Sequence, residues 1–248
     1  WEVELVADRR RDLWDQNSQW WTQKYVNRDD PDYEELLLPL ITDLFLNQKS
    51  VLDIGGGEGR VSRSLVIENT CDVTCADFSF SQISTAKNLG RGPTFVQAAA
   101  DNLPFRTGSF DGALACLVFE HLENFEQAVD EASRILIPNG RFVLVLNHPV
   151  TQTSNSGFVY DHTHDPPEKY WRISEYLTET SQYEEVEKGI FIPFEHRTIS
   201  RYINTLVESG FIIERFYEPA PSHEFISKNP EYENVRAIPR LLIIICKK

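Results

Sequence analysis

Val51-Leu52-Asp53-Ile54-Gly55-Gly56-Gly57-Glu58-Gly59-Arg60 is the stretch around which the chain is organised. A short apolar run of strand character ends in an acid, turns through closely spaced glycines and enters a helical segment, Val61 to Ile67. Strand, tight loop and helix N-terminus together offer free backbone N–H groups where ligand atoms can approach closely. The spacing narrows the ligand. A dinucleotide fingerprint counted from Gly55 needs glycine where Arg60 stands, and counted from Gly57 it needs glycine at Ser62. A phosphate loop needs Gly-Lys-Ser/Thr, which does not follow. A glycine-rich turn without a ligand is the alternative.

Downstream, short apolar runs alternate with helical patterns. Asp72-Val73-Thr74-Cys75-Ala76 reads as a second strand ending at Asp77, followed by a helix from Phe80 to Leu89. Thr94 to Gln97 is a third strand, Ser109 to Cys116 a fourth and Arg141 to Leu146 a fifth. Between the last two, Phe125, Ala128, Val129, Ala132 and Ile135 recur at helical core spacing. This alternation from about residue 49 to 147 argues a parallel α/β sheet with helices on both faces. An acid about 20 residues past the glycines, at the end of the second strand, is placed to accept from both ribose hydroxyls, or else to cap the following helix.

With Asp53, Gly55, Gly57, Asp77 and the runs Ala98-Ala99-Ala100-Asp101-Asn102-Leu103-Pro104-Phe105 and Leu117-Val118-Phe119-Glu120-His121-Leu122, residues 49–147 resemble the Rossmann-like class I S-adenosylmethionine-dependent methyltransferases, type 11 family. The resemblance implies a seven-stranded, mostly parallel sheet with an antiparallel C-terminal strand and an insertion after strand 5. It also implies S-adenosylmethionine as cofactor. Asp53 would order the loop and the methionine ammonium, Gly55, Gly56 and Gly57 would run beneath the methionine and ribose, and Asp77 would grip the ribose. Phe78 would lie on the adenine, and Leu117 and Val118 would pass under the sulfonium. The family's adenine-binding acid falls at Ala99 here, a departure. Either backbone around Ala99 and Ala100 holds the adenine, or Asp101, with Asn102 beside it, takes over.

Four parts are expected: an N-terminal helical cap (1–47), the cofactor core (48–147), an inserted lid or substrate segment (148–193) and the rest of the same sheet (194–248). Trp14, Trp20, Trp21 and Tyr25 give the cap more aromatic surface than a solvent helix needs, and a helix is expected from Asp29-Asp30-Pro31-Asp32 through Leu46. Residues 147–193 are rich in turn residues yet carry Phe158, Tyr160, Tyr170, Trp171, Tyr176 and Tyr183, a candidate substrate wall. Trp21, Tyr25, His121, His148, Tyr170, Trp171 and His196 are the expected substrate-lining residues. His148, directly after the fifth strand, is the candidate general base. His162 and His164 stand two apart without a spaced third ligand, so no metal is expected.

A formal net charge of −14 with scattered Lys and Arg disfavours nucleic acid as substrate. No apolar run reaches the ~18 residues of a membrane span. The opening residues lack a basic flank and an apolar core, so no signal peptide is expected. There is no Met at all, and the four cysteines lack metal spacing, which suits buried thiols in a reducing cytoplasm. The expected activity is in-line methyl transfer to a small-molecule acceptor. A non-catalytic cofactor-binding protein and an RNA-modifying methyltransferase are the alternatives; oligomeric state is open.

Overall fold

The computed structural model describes residues 2–26, 31–69 and 71–248; the side chains of 2–9, 25, 26 and 32 are outside that description. The sequence readings on the Tyr25 side chain and on Asp29-Asp30 therefore fall outside the described residues.

Five parallel strands make up most of one sheet: β1 (Ser50–Ile54), β2 (Asp72–Asp77), β3 (Thr94–Gln97), β4 (Phe110–Cys116) and β5 (Leu136–Asn147). Two hairpins follow, β6 (Gly157–Asp161) with β7 (Glu168–Arg172), and β8 (Thr180–Glu187) with β9 (Ile190–His196). The chain then returns through β10 (Ile212–Tyr217) and β11 (Leu241–Lys247), giving the sheet order β10-β11-β5-β4-β1-β2-β3. β11 runs antiparallel to both neighbours. This is the seven-stranded sheet that the resemblance implies, around the parallel α/β pattern that the alternation argues.

The helices are α1 (Glu2–Trp21), α2 (Leu38–Leu44), α3 (Arg60–Asn69), α4 (Phe80–Leu89), α5 (Phe125–Ile135), α6 (Ile199–Glu208) and α7 (His223–Lys228). The helix expected through Leu46 is divided into a π-helical piece, Asp32–Leu37, and α2. One sheet face packs against α5 and α6, with Phe125, Val129, Ile135, Tyr202 and Leu206 buried. The other packs against α2 and α3, with Leu38, Ile41, Phe45 and Leu65 buried. Leu241 to Cys246 is apolar without alternation because both faces of β11 are covered. On α5 the spacing Phe125, Ala128, Val129, Ala132, Ile135 puts every apolar side chain on one buried stripe. Truncating Phe125 would cost about 3–5 kcal/mol by loss of transfer energy and a residual cavity.

The outer strand β10 pairs only with β11, and a bulge between Ile213 and Arg215 interrupts that ladder. The segment read as turn-rich, 147–193, instead contains most of two hairpins. In β8 the half-buried positions are Thr180, Gln182, Glu184 and Val186, so a polar face replaces the apolar alternation that marks a strand.

Candidate functional site

The parallel strands β1 to β4 all end on the same side of the sheet, and a cavity of about 600 Å³ opens over those ends. Its floor is Gly55, Gly56, Gly57 and Glu58 after β1, Asp77 and Phe78 after β2, Ala98 to Asp101 after β3, and Leu117 and Val118 after β4. Gly55 and Gly57 have φ of +70° and +56°, and a Cβ at Gly55 would meet Val118 Cγ1 at 2.4 Å. The loop thus lies flat against the post-β4 residues because it has no side chain there. Leu117 itself has φ +57°, a left-handed conformation unfavourable for a branched side chain and found where neighbouring structure overrides it.

Two buried carboxylates underlie the loop. Asp53 is 1% exposed and accepts from Ser62 Oγ at 2.6 Å; burial, opposed by that bond, raises its pKa to about 6. Asp77 accepts from Gly57 N at 3.0 Å and from Ser79 N at 2.8 Å, and burial raises it to about 6 as well. Each Asp77 oxygen carries one of these bonds, leaving a lone pair on each for two further donors. Beside it, the Gln82 side chain is 3% exposed and lines the cavity, and its Oε1 has no partner among the described residues. A buried acceptor left open beside a glycine cradle is what a ligand rich in hydroxyl and ammonium donors would satisfy. Asp101 also lines the cavity, with Oδ2 taking a bond from Asn124 Nδ2 at 2.9 Å. The turn at Ala99 closes through Asn102 N to Ala99 O at 3.1 Å, and Asn102 stays outside the lining.

The roof is α1. Arg10, Arg11, Trp14 and Trp21 face the cavity, joined by Tyr33. Arg10 donates to Glu195, to Ser181 Oγ at 3.2 Å and to the His121 carbonyl at 3.2 Å. Asn17 Nδ2 reaches the Phe191 carbonyl at 2.7 Å, and Trp20 Nε1 reaches Glu187 at 2.9 Å. Asp15 accepts from Ser79 Oγ at 2.5 Å and Ser81 N at 3.1 Å, at the N-terminus of α4, where a carboxylate is favoured. The helix is therefore fastened to both the β8–β9 hairpin and the floor.

The histidines separate. His121 lines the cavity; Nδ1 is 2.7 Å from the Pro193 carbonyl, and the ring stands edge-on to Trp14 at 5.3 Å and Phe194 at 6.0 Å. His148 lies outside the lining, 2% exposed, with Nε2 2.9 Å from Glu218 and Nδ1 accepting from Val150 N at 3.3 Å. Both its nitrogens hold the chain in place after β5, and burial lowers its pKa against the pull of Glu218. His196 is buried with Nε2 on the Tyr176 carbonyl at 2.8 Å, also away from the cavity. Tyr170 and Trp171 lie on the β6–β7 hairpin, outside the lining. Arg197 gathers the carbonyls of Phe119, Leu122 and Glu123 at 3.3, 2.5 and 3.1 Å, which sets the loop carrying His121. Arg10, Trp14 and Gln82 were not singled out from the sequence as site residues. Trp14 was visible as part of an aromatic-rich helix; Arg10 and Gln82 carried no signal apart from the fold.

Among the described residues, no cluster of three His, Cys, Asp or Glu side chains could hold a metal, and no helix is long and apolar enough to cross a membrane.

Residues 52–144 match the methyltransferase-domain family of type 11. They are a type 11 methyltransferase domain. A ubiquinone/menaquinone biosynthesis C-methyltransferase UbiE from Hahella chejuensis is 33% identical over 104 residues, covering 39% of this chain and 42% of that protein. A demethylmenaquinone methyltransferase from Paenarthrobacter aurescens is 31% identical over 109 residues, 44% of this chain and 42% of that protein. The chain thus spans less than half the length of these two relatives. An S-adenosylmethionine-dependent methyltransferase structure from Mesorhizobium loti superposes with TM-score 0.76 at 24% identity, covering 89% of this chain and 99% of that one. The type 11 domain and this superposition agree on a class I methyltransferase fold.

Proposed function

We propose that this chain is an S-adenosylmethionine-dependent methyltransferase acting on a small-molecule acceptor. The observation that carries the reading is the convergence of four strand ends on one cavity. There a glycine loop with no room for a side chain at Gly55 meets a buried carboxylate, Asp77, with two lone pairs to spare. The donor set fits the cofactor. Asp77 would hold the ribose hydroxyls and Phe78 would cover the adenine. Ala99, Ala100 and Asp101 would line the adenine's edge, and Gly55 to Gly57 with Asp53 would hold the amino-acid end. Gln82 Oε1 adds an acceptor on the ribose side. The bound cofactor would supply an electrophilic methyl group; the chain's share is alignment of the acceptor, exclusion of water and, where needed, removal of a proton. Arg10, Trp14 and Trp21 would close the acceptor side, with the 148–193 segment shaping it through the β8–β9 hairpin. The net charge of −14 favours a small acceptor over a polyanion.

Titration calorimetry with S-adenosylmethionine and S-adenosylhomocysteine tests the reading. Micromolar binding by the wild type that Asp77→Ala abolishes is expected. Absence of binding by a folded wild-type protein would overturn it.

A further inference from the structure

His121 is held in one protonation pattern by a group that can only accept. The Pro193 carbonyl, 2.7 Å from Nδ1, has no proton to give, so the neutral ring keeps its hydrogen on Nδ1 and its lone pair on Nε2. His148 shows the opposite pattern: a backbone N–H donates to Nδ1 and Nε2 bonds Glu218, leaving neither nitrogen open. No bond to His121 Nε2 occurs among the described residues, and His121 lines the cavity where His148 does not.

Resting on the methyltransferase reading, we propose that His121 Nε2 is the general base of this site, and that the acceptor is a flat aromatic or enolic molecule methylated after loss of a hydroxyl proton. The sheet order places His121 on the β4 side of the glycine loop, away from Asp77 on the β2 side. That is the end of the cavity beside Val118, where the loop passes closest. Trp14 lies 5.3 Å from the imidazole and 5.5 Å from Trp21, so aromatic faces wall part of the cavity beside His121. Flat apolar rings bury favourably against such faces. Three fixed contacts set the geometry: Pro193 on β9 orients the ring, Arg197 holds the carbonyls on either side of it, and Arg10 takes the His121 carbonyl. Glu184 on β8, whose carboxyl burial pushes up, is drawn back down by His121, so a charge formed on the imidazole has an acid nearby.

The step balances. The acceptor O–H bond breaks and its proton passes to Nε2. The electron pair so freed attacks the methyl carbon, directly from oxygen or from a conjugated ring carbon. The carbon–sulfur bond breaks with its pair remaining on sulfur. The imidazolium then loses its proton to solvent, and where carbon is methylated the ring hydrogen follows.

The experiment combines a spectroscopic and a kinetic readout. Long-range proton–nitrogen correlation on protein with labelled histidine reads the tautomer of each ring, with His121 identified as the signal lost in His121→Asn. The asparagine amide occupies the place of Nδ1 and can still donate to Pro193, so this variant keeps the anchor and loses only the base. An Nδ1–H, Nε2-lone-pair pattern is expected; an Nε2–H ring would overturn the proposal. Methyl transfer is then followed as S-adenosylhomocysteine release with 1-naphthol and 1-naphthylamine as paired probes. Transfer to the naphthol, lowered about 100-fold or more in kcat by His121→Asn with little change in cofactor affinity, is expected for loss of a positioned base. No transfer to naphthol, or equal rates in the variant, would overturn it. Failure to bind cofactor in calorimetry would instead remove the methyltransferase reading, whatever the tautomer.

Discussion

The cavity's floor and its roof are built by different physics. The floor is backbone and buried carboxylate: glycines at positive φ, Leu117 forced into the same region, and two aspartates whose burial opposes their charge. Its parts lie next to one another at strand ends, and the sheet places them. The roof is a helix pinned by side chains to partners far along the chain, Arg10 to Glu195 and Asn17 to Phe191 among them. A floor of this kind is rigid and carries stored cost; a roof of this kind can be loosened one contact at a time. Enzymes commonly draw lids from less stable elements and reserve strain for the site beneath.

The sharpest way to break the contrast is on the floor. Gly55→Val places a side chain 2.4 Å or less from Val118 at φ +70°. Cofactor affinity should fall at least 100-fold, and stability by about 2–4 kcal/mol from strain plus overpacking, read by calorimetry and urea unfolding. Near-normal binding would mean that the loop is not the rigid element described.

On the roof, Arg10→Met leaves Glu195, 7% exposed, with Ser181 Oγ as its one side-chain donor among the described residues. The loss should be about 3 kcal/mol, the low end for an uncompensated buried acid because Ser181 still donates. Amide exchange should quicken in residues 10–21 and 181–195 while the Gly55–Gly57 amides stay protected. Uniform quickening would show that floor and roof open as one unit. Adding Glu195→Leu should recover most of the loss.

The smallest effect is on pH dependence. Asp53 and Asp77 titrate near 6 when folded against an ordinary 3.8, so the folded chain binds more protons than the unfolded chain between those values. Their contribution to stability is full below about 3.8 and is lost as pH rises through about 6. Asp53→Asn keeps an acceptor for Ser62, should raise stability at pH 7 by about 1–2 kcal/mol, and should flatten the slope between pH 4 and 6. An unchanged slope in a series of thermal melts would contradict the burial of that charge.

The same contrast explains what the sequence disclosed. Floor residues sit within a few positions of a strand end, so Asp53, the glycines, Asp77 and Val118 are marked by a local pattern. Roof contacts join residues 64 to 185 positions apart, and nothing local about Arg10 announces Glu195. His148 looked well placed by the strand-end rule, yet its ring turns to Glu218; strand position fixes a Cα, not a rotamer. The β8 strand was hidden because its inward face is Thr180, Gln182 and Glu184. Lys188-Gly189, with Gly189 at φ +80°, forms the turn of its hairpin.

The bulge in β10 governs how the molecule behaves in a crowd of its own copies. A sheet with two open rims offers each rim as a template for another chain. One rim, β3, is only four residues long. The other displays Ile212, Phe216 and Tyr217 to solvent, the composition of an aggregation-prone edge. Displacing Glu214 between Ile213 and Arg215 breaks the flat hydrogen-bonding register there and sets two opposite charges beside the apolar groups. Edge protection on this side thus depends on a single extra residue, far from the cavity and unrelated to its chemistry.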